Sequence, residues 1–261
     1  MASLSAIEWT DATWNPVTGC TKVSPGCKYC YAERLTERFG RQRFSDVVLH
    51  PERLLLPLHW RTPRMIFVNS MSDLFHERVP FPFIDEVFEV IQRAPHHTFQ
   101  ILTKRPDRLL AWHRGDDNGQ PARPVPANAW LGVSVESMTF AWRVERLRQV
   151  EAAVRFVSAE PLLGPLTALD LAGVAWVITG GESGGSRQRA LVEPTAQGWR
   201  VKPEALMWIR DLRNRCHAAH VAFFHKQWGG PRSTSGGRLL DGRTWSEYPA
   251  ARSASLHSGV R

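Results

Sequence analysis

The chain has 261 residues, 43% of them hydrophobic, which is enough for one large buried core and excludes a miniature scaffold that needs disulfide staples. Its net charge of +8, carried by 28 Arg and only five Lys, points to a polyanionic partner, with a solvated Arg-rich surface as the plain alternative. No apolar run reaches bilayer-spanning length and no basic start leads an apolar stretch at the N-terminus, so the expectation is a cytoplasmic protein with no membrane contact, in a reducing compartment.

Short β-like runs alternate with helical patterns, the signature of an α/β domain with parallel strands. A first, weak strand runs through Trp14-Asn15-Pro16-Val17 into a loop that carries three of the four cysteines, Cys20, Cys27 and Cys30. Residues 31–39 read as a helix stopped by Gly40. A strand over 65–68 precedes a helix in which Ile84, Val87, Phe88 and Ile91 keep the spacing of one buried face. A strand over 99–102 follows, then a loop over 114–128 rich in Gly, Pro and Asp. Residues 130–135 form a strand, Phe140, Val144 and Leu147 mark a helix, and 154–157 and 175–178 are strands. A second loop, 184–198, leads to a helix patterned on Leu206, Ile209, Leu212 and Cys216, and 221–224 is the last strand. Residues 1–249 form one unit, and the polar segment 250–261 is a loosely held tail.

The strand ends are more informative than the strands. They run into Asn69, Ser70 and Asp73, into Lys104 and Arg105, and into Ser134 and Glu136. Later ends carry Glu160, then Gly180, Gly181 and Glu182, then Lys226, Gln227 and Trp228. In a parallel barrel or sheet all these C-terminal ends share one face, and ligand sites sit on that face. The cysteine loop opens onto it as well.

Gly19, Pro25 and Gly26 make that loop tight enough for its backbone to approach a metal centre. A structural zinc site wants four protein ligands, whereas an iron–sulfur cluster on three cysteines keeps one iron free. Zinc is the rival metal, with His50 or Cys216 as fourth ligand, although Cys216 also reads as a core thiol on its helix stripe. Glu136, Glu160 and Glu182 are candidates for binding an amine or a ribose hydroxyl, or for proton transfer. Lys104, Arg105 and Lys226 would bind a carboxylate or phosphate. Asp73 and His76 are further catalytic candidates, with a structural histidine as the alternative. Trp9, Trp14, Trp228 and Trp245 flank polar motifs and could stack bases, while core packing is the default for tryptophan.

The run Ile7-Glu8-Trp9-Thr10, Trp14-Asn15-Pro16-Val17-Thr18-Gly19-Cys20 and Cys27-Lys28-Tyr29-Cys30-Tyr31-Ala32-Glu33 resembles the phage Gp37/Gp68 family, a three-cysteine, radical-SAM-like family. The motifs Asn69-Ser70-Met71-Ser72-Asp73, Leu102-Thr103-Lys104-Arg105-Pro106, Ser134-Val135-Glu136, Ser158-Ala159-Glu160-Pro161, Gly180-Gly181-Glu182-Ser183 and Lys226-Gln227-Trp228-Gly229-Gly230 continue the resemblance. It implies a partial parallel (β/α) barrel of radical-SAM type, with six to seven strands. It also implies a 4Fe–4S cluster on Cys20, Cys27 and Cys30, with S-adenosylmethionine (SAM) on the open iron and cleaved reductively to a 5′-deoxyadenosyl radical. Contacts to cofactor would come from Asn69, Ser70, Asp73, Ser134, Glu136, Glu160, Gly180, Gly181 and Glu182. Contacts to substrate would come from Lys104, Arg105, Lys226, Gln227 and Trp228. The implied substrate is DNA or RNA, for base modification or photolesion repair, with a flavodoxin or ferredoxin as electron donor. Two features depart from the usual radical-SAM pattern: the loop is C-x6-C-x2-C rather than C-x3-C-x2-C, and the Gly-Gly-Glu motif follows a late strand. A non-catalytic zinc-containing nucleic-acid adaptor and an iron–sulfur electron carrier are the competing classes.

Overall fold

The computed structural model describes residues 5–39, 43–115, 122–184 and 189–250. Seven parallel strands lie in chain order across one curled sheet: β1 (Ala12–Trp14), β2 (Met65–Val68), β3 (Thr98–Thr103), β4 (Ala129–Ser134), β5 (Val154–Ala159), β6 (Trp176–Gly180) and β7 (Ala222–Gln227). Ile66 lies beside Ala12, Phe99 beside Ile66, and Ala129 beside Phe99, and the register shifts at the far edge between His225 and Gln227 of β7. This is the expected partial (β/α) barrel. The strands are legible as continuous apolar runs because parallel strands are covered on both faces.

Helices α1 (Tyr31–Phe39), α2 (Phe81–Arg93), α3 (Pro106–Arg114), α4 (Trp142–Arg148) and α5 (Pro203–Ala218) occupy the crossovers. Ile84, Val87, Phe88 and Ile91 of α2 are buried as their spacing predicts, and so are Ile209, Leu212 and Cys216 of α5. Three differences from the sequence reading stand out. Helix α3 was not expected, yet Pro106 is a good first helical residue and Leu109, Leu110 and His113 complete a buried face behind it. The expected loop 184–198 contains Val192–Thr195, which pairs antiparallel with Gly198–Val201. The first strand ends at Trp14, and Val17–Thr18 pairs instead with Val48–Leu49. The expected stop at Gly40 and nearly all of the tail lie outside the described residues.

The β5–β6 crossover carries no helix; Leu162, Leu166, Leu169 and Leu171 seal the sheet there instead. The edge of β7 is also covered. His225 donates its amide to the Trp245 carbonyl and Glu247 donates to that of Phe223, so residues 245–247 run along the outermost strand. Among the described residues no helix is long and apolar enough to cross a membrane.

Side chains on the convex face pack under the helices, and those on the concave face form a separate cluster of Trp9, Met65, Phe67, Trp130, Phe156, Trp176, Ile178 and Phe224. Trp176 is its hub, meeting Trp9, Trp130, Phe156, Phe224 and Tyr248 with ring centroids 5.2–6.2 Å apart. Trp9, Trp14, Trp228 and Trp245 are all buried, which makes them packing residues rather than base-stacking surfaces. Trp176→Ala is expected to lower the unfolding free energy by roughly 3–5 kcal/mol, measured as a reduced urea midpoint with an unchanged slope.

His97 and His225 are buried, and desolvation holds their pKa values down, to about 4 and about 3. Both rings are therefore neutral in the folded chain, while the unfolded chain protonates them as pH falls below the ordinary value of 6.5. Their contribution is present in full above that value and is lost progressively towards the folded values. The urea midpoint is expected to fall from about pH 6.5 to pH 4, and His97→Gln should make the whole of that fall shallower.

Candidate metal and cofactor site

The cysteine loop and α1 lie over the C-terminal mouth of the half-barrel, tied to one strand end after another. At β2, Asn69 adopts a left-handed conformation with φ 59°, which asparagine tolerates, and its Oδ1 accepts from the Val17 amide at 3.2 Å. Asn15 Oδ1 accepts from the Ser70 hydroxyl and the Met71 amide at 3.2 and 3.0 Å. Tyr31, the first residue of α1, donates its hydroxyl to the Ser70 carbonyl at 2.5 Å.

The strongest tie is at Asp73 and Arg105. Asp73 accepts from the Thr103 hydroxyl at 2.7 Å and from the amides of Lys104 and Phe75 at 3.0 Å, which fixes the β2 exit to the β3 exit. Buried Arg105 meets Asp73 at 3.4 Å and Glu77 at 3.0 Å, and donates to the Thr21 carbonyl and hydroxyl at 3.0 and 2.9 Å. Its remaining reach goes to the Cys20 sulfur, 3.5 Å away. The Thr21 hydroxyl also meets His76 Nε2 at 2.9 Å, and the other ring nitrogen accepts from the Arg78 amide, so His76 braces the loop.

At β4 the loop presses on a carboxylate. Glu136 is fully buried and paired with Arg143 of α4 at 2.8 Å. A side chain at Gly26 would place its Cβ 2.9 Å from Glu136 Oε1, so only glycine lets the loop lie this close. That Oε1 has no hydrogen-bond partner.

Inward-facing residues of the next strands complete a polar layer above the aromatic floor. Lys104 donates to Ser134 Oγ at 3.2 Å, and Lys226 donates to Glu160 Oε1 at 2.6 Å. Burial, and after it Cys30 and Glu160, raise the Tyr31 hydroxyl pKa above its ordinary value. At β6, Gly181 packs on the Trp228 carbonyl, which a Cβ would approach to 2.0 Å. Gln227 donates to the Gly181 carbonyl and to Ser183 Oγ at 3.1 and 3.0 Å, so this buried amide holds the turn that presents Glu182. Burial raises the Glu182 pKa against the pull of Arg189, Arg34 and Lys28. The Arg189 guanidinium lies 3.0 Å from Glu182 Oε1, yet neither carboxylate oxygen has a hydrogen bond of good geometry. Arg34 of α1 spans the mouth to the carbonyls of Ser183 and Gly184 at 2.8 and 3.2 Å.

The structure thus brings Cys20, Cys27, Cys30, Asn69, Ser70, Asp73, Lys104, Arg105, Ser134, Glu136, Glu160, Gly180, Gly181, Glu182 and Lys226 to one face. Arg105, Asp73 and Gln227 are spent on architecture there, and Trp228 is turned into the core with its indole N–H on the Leu239 carbonyl. Sequence reasoning singled out Gly26 for the loop but missed the parts played by Tyr31, Arg34, Arg143 and Arg189. Arg143 left a signal, because it lies on the apolar face shared with Phe140 and Val144, where a buried guanidinium demands a carboxylate.

Two features fit an iron–sulfur cluster with a small polar ligand. The donors are three half-exposed free thiols, and no described cysteine is in a disulfide. Burial and then Asp73 push the Cys20 thiol up to about 11, so a metal there must displace a tightly held proton, and Arg105 is the group that eases this. Buried polar atoms with unspent bonds, Asn69 Nδ2, Glu136 Oε1 and the Glu182 carboxylate, are gathered at the same face. Among the described residues no three His, Cys, Asp or Glu side chains are grouped tightly enough for a single metal ion. The zinc candidates are occupied elsewhere: Cys216 is in the core, and the His50 ring nitrogens meet Thr18 and Glu52.

Comparison with protein families matches residues 4–249 to a family described as a protein of unknown function, DUF5131. The chain belongs to this DUF5131 family. The Gp37/Gp68 resemblance remains a reading of the motifs. No curated protein matches. Solved structures of spore photoproduct lyase share the fold of this DUF5131 protein. A cysteine-to-serine mutant is 12% identical with a TM-score of 0.54, covering 87% of this chain and 78% of that one. A complex with dinucleoside spore photoproduct is 12% identical, TM-score 0.53, with the same coverage. A double mutant with bound AdoMet and dinucleoside spore photoproduct is 11% identical, TM-score 0.53, covering 87% and 79%.

Arg105→Ala strands the Asp73 carboxylate and is expected to cost about 3 kcal/mol in a urea titration. Arg105→Lys keeps the charge without the planar fork and should recover only part of that loss.

Proposed function

We propose that this DUF5131 protein is a radical-SAM-like iron–sulfur enzyme acting on nucleic acid in a reducing compartment. One observation carries the reading: three half-exposed thiols on a single loop cover the mouth of a half-barrel whose buried polar atoms keep unspent hydrogen bonds. The fold shared with spore photoproduct lyase, which has been solved with AdoMet and a dinucleoside lesion, supports it. So does the basic, Arg-rich chain.

Cys20, Cys27 and Cys30 would hold a 4Fe–4S cluster. When bound, such a cluster would supply an electron, delivered by a flavodoxin- or ferredoxin-type donor, for cleavage of SAM to methionine and a carbon-centred radical able to abstract hydrogen. The residues of this chain bind, orient and shield. Arg105 donates to the Cys20 sulfur, a contact of the kind that tunes cluster potential. Glu136 Oε1 and Glu182 would accept hydrogen bonds from an amine or ribose hydroxyl, with Asn69, Ser70, Asp73, Ser134, Glu160, Gly180 and Gly181 shaping the rest of the SAM cradle. Lys104 pairs with a neutral serine, so its charge is available to a carboxylate or phosphate, and Lys226 shares its charge with Glu160. The aromatic floor excludes water from below, which protects a reactive species from quenching.

The test is iron, sulfide and zinc analysis of anaerobically reconstituted protein, with electron paramagnetic resonance spectra of the reduced sample with and without SAM. About four irons per chain and a spectrum altered by SAM are expected, and Cys20→Ala, Cys27→Ala or Cys30→Ala should each abolish the signal. One zinc, no iron and no SAM response would replace the enzyme with a metal-stapled binding protein.

A further inference from the structure

A cavity of about 440 Å³ opens beside the cysteine loop, lined by Pro25 and Lys28, Leu162 and Leu163, Arg189 to Leu191, and Lys202, Glu204, Ala205 and Trp208 of the α5 entrance. Its leucine side is tied to the strand ends, Leu162 donating its amide to the Gly180 carbonyl and Leu163 to the Glu136 carbonyl, at 2.9 and 2.8 Å, and Arg189 joins the cavity to Glu182. None of the mechanism above uses it.

Its chemistry is two-sided. Leu162, Ala190, Leu191 and Ala205 are buried and form an apolar back wall, while Trp208 is half-buried and offers a flat surface. Three cations line the cavity, Lys28, Arg189 and Lys202, against the exposed carboxylate of Glu204, and Arg189 already shares its charge with Glu182. Arg189 is fixed in place by Glu182 at 3.0 Å, by the Pro25 carbonyl at 2.9 Å and by the Tyr29 ring, 5.2 Å away. Its volume falls within the range of about 300–1,000 Å³ typical of small-molecule sites, which are mostly apolar with a few placed polar groups. A flat apolar ring joined to an anion matches both sides.

We infer that this pocket holds one nucleoside monophosphate unit, its base against Trp208 and the leucine wall and its phosphate among Lys28, Arg189 and Lys202. Base–aromatic stacking supplies sequence-tolerant affinity, and the cations supply a salt-dependent share. Lys28 lies between Cys27 and Cys30, so the occupant sits directly beside the cysteine loop. The nucleic-acid class rests on the proposed function, but occupancy of the pocket does not need a cluster.

The experiment titrates thymidine 5′-monophosphate, a short single-stranded oligodeoxynucleotide and inorganic phosphate into cluster-loaded and cluster-free protein at two salt concentrations. Trp208→Leu should weaken both nucleotide probes about tenfold and leave phosphate binding unchanged, the loss expected of one stacking surface. A Lys28→Ala, Lys202→Ala double variant should weaken all three probes and reduce the salt dependence. Met207→Ala, exposed on the same helix outside the pocket lining, should change nothing. Tighter binding of the oligonucleotide would assign the pocket to a polymer, and equal affinities to a free nucleotide. Wild-type protein that binds neither nucleotide, or affinities unmoved by Trp208→Leu in a variant with native circular dichroism, would overturn the inference. Nucleotide binding at this pocket in a protein that takes up no iron would sink the enzyme reading and leave the pocket standing.

Discussion

The site depends on the buried pairing of Asp73 with Arg105. A carboxylate withdrawn from water is costly unless its lone pairs are used, and Asp73 uses them on a hydroxyl, two amides and a guanidinium drawn from the exits of two neighbouring strands. Arg105 then carries the same order outward, because one rigid fork reaches Glu77, both oxygens of Thr21 and the Cys20 sulfur. Strand ends and cysteine loop therefore share a single charged hinge point. A lysine in that place would gather its three donors on one nitrogen and could not span partners this far apart.

From this anchor the concave face divides into two layers with opposite character. Below, rings centred on Trp176 fill the half-barrel, and the Trp176 indole N–H is satisfied by the Glu247 carbonyl. Above, Lys104, Ser134, Glu160 and Lys226 form a hydrogen-bonded tier beneath Tyr31 and the cysteine loop. The boundary arises from strand periodicity alone. On β4, Trp130 and Ser134 share one side of the sheet four residues apart, so the same alternation that places a ring in the floor places a hydroxyl in the tier.

Much of this was legible from the residues in order. Buried parallel strands announce themselves as apolar runs, and Met65–Val68 or Trp176–Gly180 could hardly be anything else. The three cysteines, and the polar residues at the strand exits, follow from chain order because a parallel sheet delivers all its C-terminal ends to one side. The failures have physical causes. Pro106 and Asp107 look like a break, yet proline is pre-set for a first helical turn. Strand Val192–Thr195 is half polar and includes Pro194, so its pairing with Gly198–Val201 leaves little hydrophobic trace. Arg34, Arg143 and Arg189 take meaning only from partners brought close by folding, and Arg34 finds its partners about 150 residues away. Trp228 shows the reverse error: a tryptophan beside a polar motif looks like a binding surface, and folding turns it inward.

The short run of chain along β7 has a consequence for handling the protein. An open half-barrel has two raw edges, and a flat row of unpaired amides and carbonyls is a template for pairing with another copy. By engaging Phe223 and His225, Trp245 and Glu247 act as a plug on the outer edge. Removing them while trimming polar residues from the C-terminus would expose an aromatic strand, Ala222–Gln227, to self-association. The plug thus marks how far the chain can be shortened before solubility, rather than chemistry, becomes the limiting property.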